Sequence, residues 1–206
     1  MITPVVHPRH RRSVQAVPAG SALVVFESMF GSTRAAARAV ARGLHHEGMT
    51  VRVSDVSAAP QHLTGEVDLL VLGAPTHAFT LSTPGSRQAA GQQGAPVGRV
   101  EIGMREWVND LTWDAPPPDV AVFDTRVTST RLLPFAAART CRTLVEQRGL
   151  RVSTRPMTFL VAGVHGPLLG GEAERAFAWG KRLAGLSRLT RVIAGRHAAD
   201  RTRSNF

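Results

Sequence analysis

The sequence predicts an α/β domain in which helices cover both faces of a parallel sheet. Three observations lead to this class. Five short apolar runs of strand length recur between residues 21 and 164, and segments of helical composition separate them. This alternation is typical of a parallel sheet. The chain has 206 residues and is 43% hydrophobic, which is enough for one sizeable core.

The predicted strands carry the apolar residues that a buried sheet needs. The first, at about 22–27, is apolar up to its last residue, and the second, at 51–53, alternates between valine and arginine. The run at 67–73 is almost continuously apolar, as expected for a central strand that is covered on both faces. Two further strands are predicted at 120–124 and 152–164, and Pro156 is a point at which the second can be interrupted.

Helices are predicted between the strands, and glycines mark several of their ends. The alanine-rich segment 32–47 ends near Gly48, and the segment 132–148 ends at Gly149. The remaining helices are predicted at 86–93, 103–111 and 171–186.

Two stretches show neither the periodicity of a helix nor that of a strand. Residues 57–65 contain Pro60 and are interpreted as a loop with room for one short helix. Residues 74–102 are rich in glycine, proline, serine and glutamine, which indicates a long excursion around the helix at 86–93. A loop of this length in a compact domain is usually functional.

The formal charge of +10 lies mostly at the two ends of the chain. Residues 1–20 carry three arginines and no acid, and residues 186–206 carry five arginines and one acid, so residues 21–185 hold only +3. We expect 1–20 to be a disordered basic arm, 21–185 to be the folded domain and 186–206 to be a basic tail. Neither end has the dense basic runs with interleaved aromatic residues that are typical of nucleic-acid binding, which is therefore not expected.

The compartment is predicted from what the sequence lacks. The single cysteine, Cys141, excludes an internal disulfide and fits a reducing cytoplasm. No stretch approaches the roughly 18 to 20 apolar residues that cross a bilayer, and the basic N-terminal residues lead into no apolar segment of a signal peptide. A cytoplasmic protein without a membrane span is expected, and its oligomeric state is not predicted.

The stretch from Val24 to Val40 has the arrangement that binds a phosphate group. An apolar strand leads into a turn of small and hydroxylic residues, and an alanine-rich helix follows. The first amides of a helix have no intrahelical acceptor and lie at the positive end of the helix dipole. Ser28, Ser32 and Thr33 can add hydroxyl donors. Gly31 lets the backbone approach an anion closely.

The same turn lacks the motifs of larger phosphate ligands. It contains no GxxxxGK[ST], so the lysine that reaches the terminal phosphates of a nucleotide is absent, and no GxGxxG, which argues against a dinucleotide. A hydroxyl-rich turn that needs no cation suits a terminal monophosphate. Phe30, inside the turn, can reach the ligand or seal the helix. The alternative interpretation is a capped helix with no ligand.

This turn resembles the signature of the flavodoxin family, whose members bind the phosphate of FMN between the first strand and the first helix. Every constrained position of that signature is filled, by Val24, Val25, Phe26, Ser28, Gly31, Thr33, Ala37 and Val40. The resemblance covers about residues 21–185. It implies a flavodoxin-like doubly wound sheet of five parallel strands in the order 2-1-3-4-5, with FMN as the cofactor.

In a sheet of this order the ligand lies at the carboxyl ends of strands one, three and four. The second of the three loops follows Gly73, and its Pro75 and Thr76 match the G-x-P-T segment that wraps the flavin in proteins similar to this one. His77 and Phe79 are expected to lie against the ring, because a flat side chain stacks on a flavin. The alternatives are a histidine bonded to the backbone and a phenylalanine that faces the core.

The third loop departs from the pattern of the family. Asp124, Thr125 and Arg126 begin it and are candidate cofactor contacts, but no aromatic residue lies beside them. One face of a flavin must then be covered by another group, such as Trp107, Trp113 or a partner subunit, or be left open.

The sequence contains no Ser-His-Asp set, no paired carboxylates and no metal-spaced cluster, so neither catalytic nor metal-binding residues are predicted. The resemblance implies an FMN-binding protein that carries electrons between a reductase and an acceptor, both unidentified. One alternative is an FMN-dependent NAD(P)H oxidoreductase of the quinone-reductase type, with residues 80–102 in its pocket. The other is a regulatory or interaction module that has lost the flavin.

Overall fold

A parallel sheet forms the centre of the molecule. The computed structural model describes residues 20–77, 79–95, 101–130 and 136–203. Within these ranges the strands are β1 Ser21–Phe26, β2 Thr50–Asp55, β3 His62–Leu63, β4 Leu69–Pro75, β5 Thr112–Trp113, β6 Asp119–Val127 and β7 Met157–Val161. The α-helices are α1 Ser32–His46, α2 Pro84–Gln92, α3 Met104–Asp110, α4 Ala137–Gln147 and α5 Glu172–Arg203.

The main sheet has the order that the sequence predicts. Its strands lie in the order β2-β1-β4-β6-β7, and every neighbouring pair is parallel. When these five strands are counted along the chain, the order is 2-1-3-4-5. The predicted α/β, flavodoxin-like fold class is therefore confirmed. Because the winding reverses between β1 and β4, a crevice forms at the carboxyl ends of these strands.

A hydrophobic core fills each face of the sheet. The core beside α3 and α4 contains Trp107 and Cys141, and the core beside α1 and α5 contains Phe123, Phe159 and Trp179. The three aromatic rings of the second core pack edge to face, with centroids 5.6 to 6.1 Å apart. Burial raises the pKa of the Cys141 thiol to about 12, so this thiol is not a nucleophile at neutral pH.

The structure differs from the predicted elements at residues 57–65 and in the length of the last strand. Residues 57–65 contain no helix; instead β3 pairs with β5 in a separate two-stranded sheet. The last strand of the main sheet is shorter than the predicted 152–164, because Val152 forms only an isolated bridge to Val120 and the strand begins after Pro156.

The closing helix is longer than predicted. The sequence analysis ended it at Leu186, whereas α5 continues to Arg203. No proline follows Gly171, so nothing in the sequence forces the helix to stop. The backbone of the predicted tail is thus helical as far as Arg203. The arm predicted at 1–20 lies outside the described residues except for Gly20, and the division into arm, domain and tail stays a prediction.

Helices α1 and α5 cross at close range because glycines lie against the facing backbone. A Cβ atom on Gly43 would overlap the carbonyl oxygen of Phe177, and one on Gly180 would overlap the carbonyl oxygen of Val40. This contact holds α1 in place, and with it the turn that precedes α1.

Gly180→Ala is expected to lower the free energy of unfolding by about 2 kcal/mol, because the added methyl group must push α5 away from α1. The matched control, Gly185→Ala, lies on the same helix and has open space around it. It should be neutral or stabilise by up to about 1 kcal/mol, since alanine favours helix over glycine. Urea denaturation measures both variants, and equal effects would contradict the close crossing.

Candidate functional site

A cleft of about 220 Å³ opens at the carboxyl ends of β1, β4 and β6. The turn after β1, the ends of β4 and β6, and the loop after β7 form its walls. The lining residues are Ser28, Met29, Phe30, Ser32, Thr33, Pro75, Thr76, His77, Thr125, Arg126, Val127, Val161 and Val164. The segments after the first, third and fourth strands of the main sheet therefore meet at one point.

The turn between β1 and α1 presents hydrogen-bond donors that the described protein groups do not use. The hydroxyl oxygen of Ser28 accepts a hydrogen bond from the Arg34 amide at 3.2 Å, so the Ser28 O–H can still donate. Neither the Ser32 hydroxyl nor the amides of Ser32 and Thr33 have an acceptor among the described residues. Gly31 adopts a left-handed φ of 94°, and no atom lies within 4 Å of the position of its missing Cβ. Unused donors beside open space suit an anion.

Hydrogen bonds between the loops hold the cleft in shape. The hydroxyl oxygens of Thr33 and Thr125 lie 2.7 Å apart, and both side chains are buried. The Thr76 hydroxyl donates to Asp124 Oδ2 at 2.9 Å. The same carboxylate oxygen accepts from the amide of Ala138 at 3.2 Å, at the start of α4. Asp124 thus joins the ends of β4 and β6 to α4.

Phe30 and His77 are the ring-bearing residues that line the cleft. The ring of Phe30 packs edge-on against His165, with the centroids 4.5 Å apart, so the loop after β7 fixes its orientation. Burial and, secondly, the positive charge of Arg87 lower the pKa of His77. Its imidazole is therefore a neutral, flat group at neutral pH.

Nine of the twelve candidate site residues line the cleft, and three do not. Gly31 shapes the turn, and Asp124 lies behind the cleft at 0% exposure. The side chain of Phe79 is 45% exposed and lies outside the lining. Trp107 and Trp113, considered above as covers for a flavin face, pack instead in or against the core beside α3.

The sequence analysis missed four lining residues: Met29, Val127, Val161 and Val164. Val161 and Val164 lie at the end of β7 and in the loop after it. The sequence analysis placed the ligand at the ends of strands one, three and four, and therefore did not consider this loop. The available signal in the sequence was Gly166, in the His165-Gly166 pair that follows them, because a glycine allows the backbone to approach another segment closely. A Cβ atom on Gly166 would overlap the hydroxyl of Ser32, so this loop lies directly against the turn before α1.

A buried charge cluster lies behind the end of β1. The Glu27 carboxylate accepts hydrogen bonds from the Ser82 hydroxyl at 2.5 Å and from the Met104 amide at 2.8 Å. Arg87 is 5% exposed, donates to Ser82 at 2.7 Å and lies 3.1 Å from the Glu106 carboxylate. Burial raises the pKa of Glu27, although its hydrogen bonds and Arg87 oppose the rise. The cluster fastens α2 and α3 to β1, and no described residue of the 80–102 excursion lines the cleft.

The chemical character of the cleft follows from its lining. The described lining residues supply hydroxyls, aliphatic side chains, a thioether, a phenyl ring, one imidazole and one guanidinium, but no carboxylate and no thiol. Among the described residues, no group of three or more His, Cys, Asp or Glu side chains could hold a metal ion. In the same residues, no helix combines the length and the apolar character that crossing a membrane requires.

Fold and strand order place the chain among proteins with the flavodoxin-like fold. A flavodoxin from the domain Archaea matches it with a TM-score of 0.56 over 82% of this chain and 99% of its own, at 16% identity. A flavodoxin from Streptococcus pneumoniae TIGR4 matches with a TM-score of 0.55 over 81% and 99%, at 18% identity. Rubredoxin oxygen:oxidoreductase from Desulfovibrio gigas matches with a TM-score of 0.55 over 84% of this chain but 37% of its own, at 14% identity. No protein-family model and no curated protein sequence matches the chain.

The turn after His77 is tight and strained. His77 and Thr80 exchange two backbone hydrogen bonds of 2.9 Å, and Phe79 between them has a φ of 69°. The left-handed region costs a residue with a Cβ atom about 1 to 2 kcal/mol. Strain of this kind is found most often at functional sites, and here it fixes where His77 enters the cleft.

Phe79→Gly is expected to have a free energy of unfolding about 0.5 kcal/mol higher than that of Phe79→Ala. The relief of strain, about 1 to 2 kcal/mol, exceeds the entropy cost of glycine, about 0.5 to 1 kcal/mol. Phe79→Ala keeps the strain and serves as the matched control, for which no gain is expected. A glycine variant whose thermal unfolding midpoint is no higher than that of the alanine variant would argue against the strained turn.

Acidification is expected to destabilise the fold through His77. The imidazole of the unfolded chain binds a proton near its ordinary pKa of 6.5, whereas the folded protein lowers that pKa. Below pH 6.5 the unfolded state therefore binds more protons, and the free energy of unfolding falls as the pH drops. His77→Gln should flatten this fall in urea denaturation at a series of pH values, and His45→Gln, an exposed control, should not. The same slope in wild type and His77→Gln would rule out this origin.

Proposed function

We propose that the chain is an FMN-binding, flavodoxin-like protein that acts in electron transfer. The observation that carries this proposal is the set of unused donors in the turn before α1. Two hydroxyls, of Ser28 and Ser32, and two amides, of Ser32 and Thr33, border one cleft at the positive end of a helix. The flavodoxins among the structural relatives support the proposal.

The residues of the cleft fit FMN in their chemistry. The turn would hold the phosphate, and the open space beside Gly31 leaves room for an anion next to the helix. Val127, Val161 and Val164 offer apolar contact to a ring system, and the neutral ring of His77 offers a flat face. Arg126 lines the same cleft, and its positive charge favours a ligand that carries negative charge.

The size of the cleft favours electron transfer over a reaction on a small substrate. Its volume of about 220 Å³ lies below the roughly 300 to 1,000 Å³ of typical small-molecule pockets. A ligand as large as FMN would therefore keep part of its ring system at the surface, within reach of another protein. FMN, when bound, supplies reversible one- and two-electron chemistry. The lining residues that the structure describes supply no carboxylate or thiol for proton transfer to a second substrate.

The charge of the chain favours an acidic redox partner in a reducing cytoplasm. The body between residues 21 and 185 carries +3, and charge complementarity speeds the encounter of partner surfaces. Cys141, the single cysteine, is buried and not part of a disulfide, which suits a reducing compartment.

A comparison of FMN with riboflavin, which lacks the phosphate, tests the proposal. Fluorescence titration should show FMN bound roughly a hundredfold more tightly, since several charge-assisted hydrogen bonds depend on the phosphate. Ser32→Ala should weaken FMN binding roughly tenfold or more and leave riboflavin binding almost unchanged. The control Thr143→Ala removes an exposed hydroxyl on α4 and should leave both affinities unchanged.

Three results would overturn parts of the proposal. Equal affinity for FMN and riboflavin would show that the turn does not bind the phosphate. A protein that takes up no FMN would favour a flavin-free interaction module. Rapid oxidation of NADH or NADPH by the FMN-loaded protein alone, measured by stopped flow, would favour an oxidoreductase over a carrier.

A further inference from the structure

A second cavity, of about 370 Å³, lies between α1 and β2 and shares no lining residue with the cleft. Ala41, Val51 and Val53 form an apolar floor. Arg38, Arg42 and His45 form a basic rim. We call this cavity, with its six lining residues, the α1–β2 groove.

The arginines of the rim have no acidic partner in the described part of the chain. Arg34 lies one turn earlier on the same face, and α1 contains no Asp or Glu. Some exposed arginines elsewhere are paired, as in Arg142–Glu146, Arg151–Asp119 and Arg175–Glu172, whereas Arg38 and Arg42 lie one helical turn apart with no such neighbour among the described residues. Like charges four residues apart repel each other, and an acidic ligand would relieve this repulsion.

The floor of the α1–β2 groove lies at an open edge of the sheet. β2 is the end strand of the main sheet, so its outer backbone groups have no strand partner in the described residues. Val53 is 41% exposed at this edge. Exposed edge strands with apolar side chains are templates for the addition of another strand.

The spacing of the arginines matches an extended chain. Residues four apart on a helix are separated by about 6 Å along its axis. Side chains on one face of a strand are separated by about 6.6 to 6.8 Å. Alternate carboxylates of an added strand can therefore lie opposite Arg38 and Arg42.

We propose that the α1–β2 groove binds an extended acidic segment of a partner protein, which adds to the free edge of β2 and directs alternate carboxylates at Arg38 and Arg42. Residues 1–19 of this chain contain no Asp or Glu, so charge complementarity excludes that segment as the acidic occupant. No Phe, Tyr or Trp is among the described residues that line the groove, and the valine floor favours a peptide over a nucleic acid. This binding does not depend on whether the cleft takes FMN.

Fluorescence anisotropy of labelled peptides tests the proposal on the full chain without added FMN. A peptide that alternates glutamate and valine should bind, and the same peptide with glutamine in place of glutamate should bind roughly tenfold more weakly or worse. A Glu–Val peptide with alternate backbone amides methylated should also lose binding by about tenfold, because it cannot pair with β2. A single-stranded oligodeoxynucleotide of similar charge is the competing probe.

Charge reversal assigns the site. Arg38→Glu combined with Arg42→Glu should weaken binding of the Glu–Val peptide by about tenfold or more. The matched control, Arg139→Glu with Arg155→Glu, changes the net charge equally at two exposed arginines outside the groove and should change the affinity by less than about twofold. Circular dichroism and thermal unfolding establish that both double variants are folded.

Several results would overturn the proposal. Equal losses of affinity in the two double variants would show that only the net charge of the protein matters and not the position of the arginines. Unchanged binding of the methylated peptide would exclude strand addition to β2. Unchanged binding of the glutamine peptide would exclude recognition of carboxylates by the arginines. Tighter binding of the oligodeoxynucleotide, lost on reversal of Arg38 and Arg42, would assign the groove to nucleic acid instead.

Discussion

The candidate site depends on where the first turn of α1 lies relative to the edge of the sheet. Gly31 turns the chain out of β1 in a left-handed conformation, so that the amides of Ser32 and Thr33 are left without protein acceptors. Below this turn, α1 is held against α5 by a crossing so close that Gly43 and Gly180 lie against backbone carbonyl groups. The amides are unused because the first amides of a helix have no intrahelical acceptor and no other described group accepts from them.

Other contacts organise the surroundings of that turn. The Thr33–Thr125 hydrogen bond ties it to β6, and Asp124 joins the ends of β4 and β6 to α4. On the other side, Glu27 and Arg87 anchor α2 and α3, so buried charges fasten the described part of the long excursion, none of whose residues lines the cleft. Breaking one member of such a cluster would leave an uncompensated buried charge, which explains why the excursion is held closely.

Much of the fold, but only part of the site, could be predicted from the sequence. Alternating apolar and helical segments determine a parallel sheet, and the signature around Gly31 located the turn. Val161 and Val164 were missed because their place depends on how the loop after β7 folds back onto Ser32, a contact between distant residues with no local pattern. The left-handed φ of Phe79 could not be predicted, because the tight turn imposes it and it contradicts the preference of phenylalanine.

The most direct test of the account is a crystal structure of the protein grown with FMN. The account predicts the phosphate within hydrogen-bond distance of the hydroxyls of Ser28 and Ser32 and of the amides of Ser32 and Thr33, with the ring system partly exposed between Phe30 and His77. A phosphate bound elsewhere, or a turn whose donors are satisfied by rearranged protein groups in the presence of saturating FMN, would contradict it.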